Sequence, residues 1–312
     1  MNFSTKVELC GRFQLVVRKA ATGEQCRESA WTDNIVLNTG LNRMSVGNWI
    51  TQCCVGSGNS VPAVTQTKLD NIIASTTSVN ASSQGRNFTN APLYSWVRRT
   101  WLFGEGVAQG NISEVGMGWQ DGAGLQGHQL WNRALIKDLV GNPTTITVFN
   151  DEYLEVISEI RMHFKQTFTG AFNMVDKYGA VLNSYTYDGI PYMAEGQQAF
   201  SPVYIAILGI YSGFKQDLVT LPNNSVYSSN QSGGIAPVNT YPTPRSVQAK
   251  CKIPLGLANG GLHRTLVTWF SGLMSTSSGH SAYQVEIAPP ITKTSNDILE
   301  YTFTLTWDRF VP

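Results

Sequence analysis

Leu299–Phe310 reads as a strand with one wet and one dry side. Tyr301, Phe303, Leu305 and Trp307 alternate with Thr302, Thr304 and Thr306, the two-residue period of a pleated backbone with one face in a core. The stretch GNPTTITVFNDEYLEVISEIRMHF, residues 141–164, repeats the pattern as two extended runs around the polar turn N-D-E. From Leu154 onward one face carries Leu154, Val156, Ser158, Ile160, Met162 and Phe164, and the other Glu155, Ile157, Glu159, Arg161 and His163. No convincing helix longer than about three turns is visible, nor any internal repeat. The expected fold is therefore all-β: a β-sandwich, one large or two adjacent, with long loops and a short N-terminal helix.

Further elements follow the same logic. Phe13 to Trp31 reads as a hairpin turning at Gly23, and residues 39–50 as a short helix capped by Asn38 or Thr39. Cys53-Cys54-Val55, Tyr94–Phe103, Leu130–Lys137, Val203–Tyr211 and Ala282–Ile287 are expected strands. On Tyr94–Phe103, Trp96, Arg98 and Thr100 share a face. Residues 75–92, rich in Ser, Thr, Asn and Gln, and the Pro-rich 222–244 are expected as exposed loops. Eight glycines crowd Gly104–Gly127, and Gly106, Gly110, Gly116 and Gly118 are expected where backbones approach closely. The expected division is a sandwich core over 1–165 and a second β-rich region over 166–312, whose last strands, 282–310, could return to the core.

Composition narrows the function. Charged residues are only 14% of the 312, and the net charge is +1, so no nucleic-acid-binding signature is present. A surface poor in charge suits a protein that lies against neighbours, because few charges need desolvating. Five cysteines without a C-x-x-C pair read as free, mostly buried thiols, with no cofactor or metal site expected. MNFSTKVELCGRF lacks the form of a secretory signal, and no apolar run is long enough to insert in a membrane.

Catalytic patterns are weak. Glu155 and Glu159 share a strand face but lie roughly 13 Å apart at about 3.3 Å per residue, too far for a glycosidase pair. They read instead as the solvated outer face of a sheet, with Arg161 offering a cross-strand ion pair. His128, His163, His263 and His280 have no metal-ligand spacing. No nucleophile elbow or dinucleotide fingerprint occurs, and no catalytic residue is assigned. Trp119, Trp131, Tyr185, Tyr187 and Tyr192 are the candidate contacts to a partner protein or glycan.

Six segments in order resemble a family of tailed-bacteriophage virion proteins found among tail, baseplate and tail-fibre components. They are WTDNIVLNTGLNRM at 31–44, CVGSGNSVPAVTQTKL at 54–69, FGEGVAQGNISEVGMGW at 103–119, LWNRALIKD at 130–138 with the run that follows it, YQVEIAPPITKT near the end, and FTLTWDR. The resemblance covers about half of the chain and leaves 166–281 unmatched. It implies a structural virion component of the tail tip, baseplate or fibre-attachment region, made in the host bacterial cytoplasm. Its implied partners are other tail proteins and copies of itself, as a trimer or ring. The alternative is a receptor- or glycan-binding appendage that mediates adsorption. A head-decoration protein and a polysaccharide hydrolase are further alternatives.

Overall fold

The computed structural model describes residues 1–176, 178–195, 199–228, 236–274 and 281–311. Among the described residues twenty-two strands, β1 to β22 in chain order, form four sheets with essentially no helix. The large sheet runs β18 (Val238–Thr240), β19 (Ser246–Ile253), β22 (Leu299–Arg309), β1 (Asn2–Lys19), β13 (Glu152–Phe164), β8 (Tyr94–Phe103) and β7 (Val79–Asn87). Two short strands, β2 (Gln25–Glu28) and β3 (Thr32–Asp33), pair onto β1. The small sheet runs β4 (Ile35–Val36), β11 (His128–Leu135), β10 (Glu114–Gln120), β5 (Gln52–Gly56) and β6 (Ile72–Thr76). A ribbon pairs β12 (Ile146–Val148) with β9 (Gly110–Ile112). The second sheet runs β14 (Phe168–Val175), β15 (Val181–Tyr192), β21 (Ala282–Thr292), β20 (Leu262–Ser271), β16 (Tyr204–Tyr211) and β17 (Ser225–Ser228). The architecture is all-β and sandwich-like, as the alternation predicts.

β1 and β13 form the spine. They pair antiparallel from Val7↔Phe164 to Lys19↔Glu152, and β22 pairs parallel with β1 from Asn2↔Thr302 to Leu9↔Arg309. Register fixes the faces, because a slip of one residue would turn every apolar side chain outward. The inner face thus gathers Phe3, Val7, Leu9, Leu154, Val156, Met162, Tyr301, Phe303 and Leu305, all buried. The second sheet covers part of this face: Tyr283 packs between Phe164 and Phe303, and Phe3 meets Tyr187 edge-on at 5.0 Å. One hydrophobic cluster draws residues from all four sheets.

The only α-helix among the described residues, α1 (Asn38–Arg43), is shorter than the 39–50 expected. Its cap position is Leu37, with no side-chain cap bond, so neither Asn38 nor Thr39 serves as the cap. Asn38 is spent elsewhere, since its Oδ1 accepts from Arg245 and Arg309, both at 2.7 Å. Trp307 fastens the helix to β22 by donating its indole N–H to the Leu41 carbonyl at 2.8 Å. A buried tryptophan with a satisfied N–H is worth roughly 3–5 kcal/mol against alanine.

Two expected loops contain strands. Residues 75–92 hold β7, and β17 and β18 lie within 222–244, of which 229–235 fall outside the described residues. A terminal strand pairs through its backbone, so Ser, Asn and Gln side chains suffice and leave no alternation to read. Of the four expected glycines, two mark close approaches. A Cβ on Gly118 would lie 1.9 Å from the Gln129 carbonyl oxygen, and one on Gly116 2.6 Å from that of Asn132. Gly106 and Gly110 instead take φ of +69° and +132°, which only glycine adopts without strain. Among the described residues no helix is long and apolar enough to cross a membrane.

Candidate functional site

The acid-bearing face of β13 is not solvated. Glu155 and Glu159 are buried, and so is Glu152 at the start of the strand. β1 and β8 flank β13, and the register sets Arg12 and Arg98 directly opposite Glu159 from its two sides. Arg12 donates from Nε and Nη2 at 3.1 and 3.2 Å, Arg98 from Nη2 at 2.5 Å, and Arg161, two residues along β13, from Nε at 2.8 Å. Arg161, expected to pair across strands, instead bonds Glu159 along its own strand, and the cross-strand cations are Arg12 and Arg98. Burial alone would raise the Glu159 carboxyl, but the hydrogen bonds from Arg98, Arg12 and Arg161 outweigh it and hold it below the ordinary value.

Aromatic rings frame these cations. Trp31 lies under Arg12 at 4.4 Å and Arg98 at 5.3 Å, Trp96 beside Arg98 at 5.5 Å, and Tyr94 under Arg161 at 4.7 Å. The guanidiniums keep 27–39% of their side-chain surface while Glu159 keeps 4%. Three cations over one anion leave a local excess of positive charge, held in place by stacking and bidentate bonds. Arginine, tryptophan and tyrosine are enriched among the residues that dominate binding energy where proteins meet, and here stacking and ion pairing already hold the long arginine side chains in place. This patch is the candidate contact surface.

Both ends of the patch are tied down. Toward one, Glu155 accepts from Arg18 at 2.8 Å and Asn80 at 3.1 Å, and Glu152 pairs with Arg27. Toward the other, the Cys10 sulfur lies 3.4 Å from His163 Nε2, the spacing of a nucleophile and its base. The chemistry is otherwise. Burial pushes the thiol up to about 11 and the imidazole down to about 4, so both are neutral near pH 7, whereas a reactive cysteine needs thiolate character. Phe310 stacks flat on His163 at 3.7 Å, and His163 Nδ1 has no hydrogen-bond partner to orient the ring.

A second buried ion pair fastens the small sheet. Glu114 and Arg133, both fully buried, meet at 2.7 Å. Glu114 also accepts from the backbone N–H groups of Gly58, Asp70 and Asn71, and Arg133 reaches Asp70 at 2.7 Å and Ser60 at 3.1 Å. The pair therefore pins the 57–71 loop to β10 and β11, and its acid and base, on separate strands, carry no local sign of their partnership.

The expected aromatic contacts do not converge. Trp119, Trp131 and Tyr185 are 6%, 0% and 7% exposed, so they present almost no surface to a partner. Trp131 packs on Trp49 at 5.1 Å, and Tyr185 stacks on Phe172 at 5.1 Å. Gly116 and Gly118 let β10 approach β11 closely, where Trp119 and Trp131 lie buried. Tyr187 and Tyr192 are half-buried on β15. Tyr187 lines an open groove of about 560 Å³ whose polar groups include Asp188 and Glu286, cross-strand neighbours that share Lys215. The histidines are scattered too: His128 pairs with Gln52, His263 with Tyr301 and the Ala258 carbonyl, and His280 lies outside the described residues. Among the described residues no group of three or more His, Cys, Asp or Glu is placed to hold a metal ion.

Alternation along β8 sets Trp96 and Arg98 on one face, and Trp31 and Arg12 join them only through register across the sheet. The chain matches no protein-family model, no curated protein and no solved structure.

Proposed function

We propose that this chain is a structural subunit of a tailed-bacteriophage particle, in the tail tip, baseplate or fibre-attachment region, and acts by packing against other virion proteins. The observation that carries the reading is the state of the β13 face. Its carboxylates are spent on guanidiniums, its thiol and imidazole are neutral, and what remains outward is a rigid Arg–Trp–Tyr surface. Such a surface suits adhesion rather than turnover. The order of the six segments resembling tail proteins adds the context. Mass spectrometry of purified particles encoded by the same genome tests it. The peptide set of this chain is expected at fixed stoichiometry, with antibody labelling confined to the tail, and its absence from the particle overturns the reading.

The groove beside Tyr187 favours a second reading, a receptor- or glycan-binding appendage. An aromatic ring with two nearby carboxylates matches the apolar face and hydroxyl edge of a sugar. Cell-surface glycan binding by the purified protein, lost in Asp188→Asn/Glu286→Gln, is its expected sign. Unchanged binding in that variant removes it.

A further inference from the structure

We infer that β14 is a docking edge for a second copy of this chain, which adds its own β14 antiparallel across a two-fold axis. The strand ends the second sheet: β15 pairs one side of it, and among the described residues no strand pairs the other. An open edge offers a row of backbone donors and acceptors, and proteins that remain monomeric blunt such edges with charge, proline or brevity. Among the described residues most other terminal strands are short: β4, β17, β18, β9 and β12 have two to four residues and β6 five, while the nine-residue β7 carries the charge of Arg86, whose guanidinium bonds the Met193 carbonyl at 2.6 Å. β14 has eight residues, FTGAFNMV, with no charge and no proline. Val175 at its end and Val181 and Leu182 on the adjoining β15 add apolar surface, each more than half exposed.

The sequence of β14 is complementary to itself. Thr169, Ala171, Asn173 and Val175 are exposed, whereas Phe168 is buried and Gly170, Phe172 and Met174 are half-buried. Antiparallel pairing keeps these faces matched only if the axis passes through a residue. An axis at Ala171 pairs every residue from Phe168 to Met174, a contact about 23 Å long. It sets Ala171 opposite Ala171, Thr169 opposite Asn173, and Phe172 opposite Gly170. Over Gly170 lies the ring of its own Tyr187, so Phe172 from the second copy gains an aromatic neighbour across the strands. A net charge of +1 per chain offers little repulsion between copies. The contact is isologous and closes after two copies, and it stands whether or not the chain belongs to a virion.

Light scattering during size exclusion of the purified chain reads the outcome. The wild type is expected at twice the 34.2 kDa chain mass. Thr169→Lys/Ala171→Lys/Asn173→Lys sets three like-charge pairs opposite one another at exposed positions. Each pair weakens association roughly fivefold, so the dimer Kd should rise by about 100-fold. Ala171→Cys sits on the axis at disulfide range and should give a covalent dimer on mild oxidation, whereas the wild type and Val61→Cys, an exposed loop position, should not. A monomeric wild type overturns the inference, as does a dimer indifferent to the three lysines or Ala171→Cys that fails to crosslink. If the wild type is monomeric yet the particle contains the chain, the pairing fails and the virion reading survives.

Discussion

Replacing Glu159 with glutamine removes one charge and almost no volume, and it isolates what the arginine cluster contributes. Three guanidiniums donate to this carboxylate between 2.5 and 3.2 Å. A contact of this kind is worth about 4 kcal/mol at a protein-like dielectric and about 1 kcal/mol in water. The arginines are 27–39% exposed, so solvent screening favours the lower figure. Glu159→Gln also leaves three like charges facing a neutral amide, and the total loss should be about 2–4 kcal/mol. Chemical denaturation at about pH 7 measures it, and a double-mutant cycle with Arg98→Met should show coupling of about 1 kcal/mol. The sign with pH is fixed. The folded-state carboxyl lies below its ordinary value, so its stabilisation is full above that value and drains as pH falls through the folded-state one. The gap between wild type and variant should close in acid. A gap under about 0.5 kcal/mol near neutrality, or one that persists unchanged in acid, refutes the reasoning.

Three further expectations follow from the same physics. Glu114→Gln should cost about 3 kcal/mol, because it leaves the buried Arg133 guanidinium with the part-exposed Asp70 carboxylate as its remaining anion, and limited proteolysis should then open the 57–71 segment first. Gly118→Ala should cost about 1–3 kcal/mol or more, because its Cβ would meet backbone at 1.9 Å, whereas Gly256→Ala, with open space around it, should stay within about 0.5 kcal/mol in the same unfolding assay. Cys10, its thiol pushed up to about 11, should be alkylated near neutral pH on the order of 100-fold more slowly than a free thiol. Peptide mapping reads this rate, and labelling as fast as a free thiol contradicts the burial argument.

What the sequence made legible was local. The period of two over Leu299–Phe310 and Leu154–Phe164 identified β22 and β13 and their inner faces, because alternation is a property of a single strand. Burial of the outer face of β13 has no signal within that strand, because the residues that cover Glu159 come largely from β1 and β8 and from Trp31. β7 looked like a loop, since a terminal strand of polar residues has no buried face to betray it. Trp119 and Trp131 are buried instead of available to a partner, because burial depends on how β10 and β11 pack, where Gly116 and Gly118 allow the close approach. The parallel pairing of β1 with β22, residues about 300 apart in the chain, has no local signal at all.

Cryo-electron microscopy of the intact particle encoded by the same genome is the most direct test. Density for the all-β subunit is expected in the tail, with neighbouring protein seated on the face that carries Arg12, Arg98, Trp31 and Trp96. A particle whose density lacks the subunit, or holds it with that face bare to solvent, contradicts it.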